Sequence, residues 1–144
     1  MDHGCFELVE IGRVENEYTD EIPKDYRERL SHIKIHDEYS DALLGIEEHS
    51  HIVVIAWFHR SERDVKQVVP MKNKENPLTG VFATRSPVRP NPIAITVCKL
   101  VKREGNLLTV KGLDFFHGTP VIDIKSYSKH MIAEDPTYPD WVPR

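Results

Sequence analysis

Three prolines within six residues, Pro87, Pro90 and Pro92, constrain this chain more than any other feature. They sit in residues 80–96, GVFATRSPVRPNPIAIT. Each proline locks its own φ and pushes the residue before it out of the helical region. Ser86, Arg89 and Asn91 are therefore expected to be extended. The apolar run Ile93-Ala94-Ile95 that follows reads as the start of a strand. A helix cannot run through this stretch, but a stiff loop between two strands can. The loop carries two guanidiniums, Arg85 and Arg89, and one carboxamide, Asn91. Side chains on a stiff loop lose little entropy on binding. Guanidinium forks match phosphate and carboxylate, and an amide matches a base edge or a ribose. The same composition also suits a connector whose arginines are merely solvated.

The rest of the chain reads as short strands. Residues 6–14 alternate loosely and predict a first strand, followed by a polar loop over 19–30 that contains Pro23. Residues 31–35 predict a second strand, with Ile33 and Ile35 on one face. Asp37 is a good N-cap for a short helix over 38–44, and Gly45 is a natural stop. Residues 50–58 hold the most apolar, β-branched run, which predicts a strand buried on both faces. Further strands are expected at 66–71, ending at Pro70, and at 80–83. Residues 93–103 and 107–113 predict a hairpin around Glu104-Gly105-Asn106, and 121–124 predict a last strand. Repeated βα units and a dinucleotide-binding glycine pattern are both missing. The pattern predicts an all-β fold: a closed β-barrel of about seven strands with one or two short helices. One domain is expected over 1–144, with its core at 6–128 and a proline-rich tail at 129–144.

With 144 residues the chain is long enough for a sizeable core. Hydrophobic content of 40% and charged content of 29% suit a soluble, globular, cytoplasmic protein. No apolar run approaches the roughly 20 residues that span a bilayer, so no membrane association is expected. The first ten residues carry acids and lack the basic start of a signal peptide. Cys5 and Cys98 lie far apart without a CxxC pair, which favours free thiols. His49, His51 and His59 share a parity, but His59 lies about 27 Å along an extended strand from His51, so no metal site is expected from them. The net charge of −4 disfavours indiscriminate nucleic-acid binding. Yet residues 59–89 hold seven Lys or Arg against three acids, a local balance of +4 that leaves −8 on the remainder. Such a band can dock one defined RNA feature.

The stiff loop resembles the signature of the TsaA-like family, whose best-known members are the TrmO tRNA methyltransferases. Three further segments extend the resemblance in the family's order across residues 6–128. They are Ile11-Gly12, the run from Gly45 through Ser50-His51 into the apolar strand, and His117-Gly118-Thr119-Pro120-Val121. The resemblance implies a TsaA-like barrel, S-adenosyl-L-methionine as cofactor, tRNA as partner and a homodimer. It also implies methylation of the exocyclic nitrogen of threonylcarbamoyl-adenosine beside the anticodon.

The resemblance places cofactor contacts at Asn16, Glu17 and Tyr18, at Ser50 and His51, at Arg85 and Ile95, and at His117, Gly118, Thr119 and Pro120. These lie at strand ends, which a barrel can gather around one mouth. Arg89 and Asn91 are assigned to the substrate or RNA. No catalytic base is named. The sequence departs from the family pattern at His117, where the family carries Asp, and at Ala94, where it carries Gly. An imidazole at 117 is expected to make affinity pH-dependent. Long members of the family carry an additional C-terminal domain that helps hold tRNA, and this chain reads as a short form. Two other readings share the barrel: a non-catalytic RNA-binding module, and a small-molecule methyltransferase.

Overall fold

The computed structural model describes residues 3–143; Met1, Asp2 and Arg144, the ends of the expected 1–144 domain, lie outside the described residues. Eight strands form: β1 (Gly12–Glu15), β2 (Leu30–Ile35), β3 (His51–Trp57), β4 (Gln67–Val68), β5 (Thr79–Gly80), β6 (Ile93–Glu104), β7 (Leu107–Lys111) and β8 (Pro120–Ser126). Six of them close a barrel in the order β1-β2-β7-β6-β3-β8, and β4-β5 make a separate ribbon. The closed all-β barrel is as expected, with six strands in place of about seven. The difference comes from two segments. Residues 66–71 and the chain around 79–83 form just a two-pair ladder, Gln67↔Gly80 and Val68↔Thr79. Pro70 opens a 3-10 turn after β4, and Val81–Ala83 coils into another after β5.

The chain forms two compact units. One is the barrel, which runs through Trp57 and resumes from Ala94 to Tyr127. The other comprises Phe58–Ile93 together with the chain from Ser128 onward.

The barrel core follows strand alternation. Val14, Ile33, Ile35, Ile52, Val54, Ala56, Leu108, Val110 and Val121 are buried. Val53 is buried as well, so β3 is covered on both sides at its centre, as its apolar run predicts. Register shifts between Ile55 and Ala56, and between Leu100 and Lys102, bend β3 and β6 as barrel closure requires. Gly12 is pinched between strands: a Cβ there would lie 2.5 Å from the Lys34 carbonyl oxygen, so only glycine fits. β6 and β7 form the expected hairpin through Gly105-Asn106, with Gly105 at φ +61°.

Two local expectations shift. The first strand begins only at Gly12. Phe6 and Leu8 are in phase, but they and Val9 stay exposed because β2 and β8 flank the chain only from Ile11 onward. The helix near Asp37 is a 3-10 segment, Asp37–Leu43, and Asp37 does not cap it. The Asp37 carboxylate instead accepts from Asn106 Nδ2 at 2.9 Å, a long-range partner that outcompetes the local cap.

Candidate cofactor site

Two of the sequence-derived groups meet. The segment after β1 and the turn before β8 are stitched together by backbone hydrogen bonds. Gly118 N–H donates to the Val14 carbonyl (2.8 Å), Val14 N–H to Thr119 (3.1 Å) and His117 N–H to Tyr18 (2.7 Å). The Asn16 N–H donates to His117 Nδ1 at 3.2 Å. Thr119 is buried, and its hydroxyl donates to the Phe116 carbonyl at 2.7 Å. Gly118 takes φ +82°, and open space surrounds its Cβ position. Its backbone conformation, and not a close approach, demands glycine there.

Asn16 shapes the turn that Tyr18 follows. Its Oδ1 accepts from Tyr18 N–H at 3.0 Å, a local side-chain turn that asparagine suits. Its Nδ2 donates to Ser31 Oγ (3.1 Å) and to the Phe115 carbonyl (2.9 Å). The carboxamide is therefore spent on the fold. Ser31 and Phe115 were not singled out from sequence; a serine on the core-facing side of an alternating strand was the available signal.

Tyr18 is only 5% exposed, and its Oη is buried without a hydrogen-bond partner. Such a group normally costs about 1–3 kcal/mol. Tyr18 borders a groove of about 470 Å³ together with Glu15, Glu17, Arg29, Ser31 and His32. Groove size falls in the range of small-molecule sites.

Ser50 and His51 open β3. Ser50 Oγ and His51 Nδ1 lie 2.8 Å apart, and the His51 ring sits 6.1 Å from Tyr127 at a tilt of 54°. Tyr127 immediately follows β8, a position that sequence reading passed over. The register places this pair far from the first group. Ile52 faces Ser126, whereas Val121 faces Gly12 and Ala56. Pro120 and Ser126 are thus separated by about 20 Å of extended strand. The barrel holds the two groups at opposite ends of β8, because antiparallel pairing reverses the strand between them. Ile95, on β6, is 43% exposed. A second cavity, about 280 Å³, lies at the Ser126 end and is lined by His49, Ile52, Asp123, Lys125 and apolar neighbours.

Arg85, Arg89 and Asn91 belong to the second unit. Arg85 is exposed. Arg89 acts inside its own loop: Nη2 donates to the Val81 and Thr84 carbonyls, and Nε donates to Ser86 at 3.0 Å. Asn91 Oδ1 accepts from Arg63 Nη2 at 3.1 Å, and Arg63 Nε also holds the Pro90 carbonyl at 2.8 Å. Among the described residues, no His, Cys, Asp and Glu side chains cluster as metal ligands, and no helix is long and apolar enough to cross a membrane.

A closed six-stranded barrel, with a groove beside a turn of the form His-Gly-Thr-Pro, defines the class. Residues 15–132 match the tRNA-methyltransferase O N-terminal domain, and the chain belongs to that family. It is 43% identical over 128 residues to an S-adenosyl-L-methionine-binding protein of Archaeoglobus fulgidus, covering 86% of this chain and 91% of that one. It is 41% identical over 95 residues to the human tRNA (adenine(37)-N6)-methyltransferase, covering 65% of this chain. A crystal structure of TrmO superposes with a TM-score of 0.79 at 27% identity, over 98% of this chain. The chain spans 22% of the human protein, 66% of that solved chain and 34% of a longer archaeal relative.

Proposed function

We propose that this chain is an S-adenosyl-L-methionine-dependent tRNA (adenine-N6)-methyltransferase acting on threonylcarbamoyl-adenosine beside the anticodon. The observation that carries the reading is membership of the tRNA-methyltransferase O family over residues 15–132. The donor set fits the cofactor. Glu17 offers an acceptor for ribose hydroxyls, and Glu15 beside it on the groove edge suits a sulfonium. Ser50, His51, Ile95 and the 117–120 turn complete the barrel's part of the proposed set. When bound, the cofactor supplies an electrophilic methyl group. The protein's part is chiefly positioning, an effect worth up to about 7–11 kcal/mol in favourable cases.

In this reading the working protein is a cytoplasmic homodimer. The two halves of the proposed site lie about 20 Å apart along β8 in one chain, so a second copy brings them together. Ile95, Val97 and Val101 give β6 an outward apolar face, each 43–45% exposed, for that contact. Arg89 serves the substrate side by holding the loop, and the exposed Asn91 serves the RNA.

Incubating the purified protein with labelled cofactor and total RNA, then digesting and identifying the nucleosides, tests this directly. Label in an N6-methylated threonylcarbamoyl-adenosine is the expected result. Cofactor binding without RNA labelling would point to a small-molecule methyltransferase. RNA binding without cofactor binding would leave only a binding module.

A further inference from the structure

Phe82 is an aromatic side chain held out into solvent by a rigid turn. It is 86% exposed and stacks on no other ring among the described residues. Its neighbours are fixed. Val81 is buried, its N–H donates to the Lys66 carbonyl at 2.9 Å, and its carbonyl accepts from Thr84 Oγ1 at 2.9 Å and from Arg89. Arg89 also ties down Thr84 and Ser86. The backbone that carries the ring is therefore held in one place, which lowers the entropic cost of binding there.

The surroundings favour one kind of partner. Val69 and Leu78 directly follow and precede the last β4–β5 pair, and with Met71 they are 40–64% exposed. Lys66, Lys72 and Lys74 are exposed and form no ion pair among the described residues. Residues 59–89 carry +4 in a chain of −4. An exposed ring on a held backbone, in a segment whose lysines make no ion pair among the described residues, matches a polyanion that also offers flat apolar faces. Single-stranded nucleic acid has both; duplex nucleic acid hides its base faces in the stack.

We propose that Phe82 is the stacking platform for an unpaired base of the substrate RNA, with Lys66, Lys72 and Lys74 on its backbone and Arg89 as the positioning residue that keeps the platform rigid. This rests on the tRNA reading above and adds the contact by which an unpaired loop is told from a stem. Arg89 thereby acts through Phe82 more than through the RNA itself.

The test uses the full chain as wild type, Phe82→Ala and Phe82→Trp. Fluorescence anisotropy reads binding to a hairpin RNA with an unpaired seven-nucleotide loop carrying 2-aminopurine, and to a duplex of equal charge. Phe82→Ala should weaken hairpin binding about 5- to 150-fold, the range for one lost stacking contact. Phe82→Trp should restore it and quench the 2-aminopurine. Duplex affinity, salt dependence and calorimetric cofactor binding should not move, since stacking releases no counterion. Equal hairpin affinity in wild type and Phe82→Ala overturns the inference. So does equal weakening on duplex and hairpin, or a fall in molar mass by light scattering, which would make Phe82 a protein contact. If wild type still methylates RNA while Phe82→Ala is unaffected, only this inference fails. If wild type binds no RNA, the tRNA reading fails with it.

Discussion

The backbone N–H of Asn16 donates to Nδ1 of His117 at 3.2 Å, across 101 residues of sequence. Because Nδ1 accepts, the neutral ring carries its proton on Nε2. The imidazole does for this turn what a carboxylate oxygen could do at the same place. Removing that acceptor should loosen the join between the segment after β1 and the turn before β8, so His117→Ala should weaken cofactor affinity and His117→Asp should keep it. Calorimetric titrations of the three proteins at one pH check it; equal affinities would leave His117 a plain turn residue.

Tyr18→Phe deletes the unpartnered hydroxyl. Thermal stability should hold or rise, since a buried unpaired hydroxyl costs about 1–3 kcal/mol. A clearly lower melting temperature in the variant would show that the hydroxyl finds a partner in solution.

Arg89→Ala removes three donations to the carbonyls of Val81, Thr84 and Ser86. Charged hydrogen bonds of this kind are worth about 1.5–3 kcal/mol each where buried, and less in this partly exposed loop. Amide exchange over residues 80–86 should accelerate, with barrel amides unchanged. Arg89→Lys should not rescue it, since an ammonium cannot span three carbonyls in a fork. Slow exchange in Arg89→Ala would show that the prolines alone stiffen the loop.

Burial pushes the Cys98 thiol up to about 12, with the Asp114 carboxylate adding to the effect. The thiolate, the reactive species, is then scarce at neutral pH. Alkylation at pH 8 followed by peptide mass spectrometry should mark the exposed Cys5 quickly and Cys98 only after unfolding. Rapid native labelling of both would contradict the burial.

Burial alone would raise the Glu10 carboxyl, but hydrogen bonds from His36 and Arg13 and the charge of Arg13 outweigh it and hold the group below its ordinary value. His36 Nε2 lies 2.7 Å and Arg13 Nε 2.9 Å from the carboxylate. A depressed folded-state value adds stability that is present above the unfolded value, about 4.3, and is lost as pH falls through the folded one. The melting-temperature gap between wild type and Glu10→Gln should thus be widest near pH 6–7 and shrink toward pH 3. A gap that grows in acid would refute the pairing.

The local chemistry of this protein was legible in its sequence alone. Proline placement excluded a helix through 87–92, β-branched residues made β3 a covered strand, and Gly105 marked the hairpin. Each of these depends on a few neighbouring residues and needs no distant partner. Tertiary structure decided what depends on pairing between distant segments. Only the register of β8 against β1 and β3 sets Ser50-His51 and His117-Gly118 at opposite ends of one strand. Only the fold turns Arg89 inward onto its own loop and leaves Phe82 outside, because the carbonyls that capture the guanidinium face it only once the loop is closed. The alternation of residues 6–11 illustrates the limit: a strand pattern becomes a strand only where a neighbour supplies the hydrogen bonds, and β1 has none before Ile11.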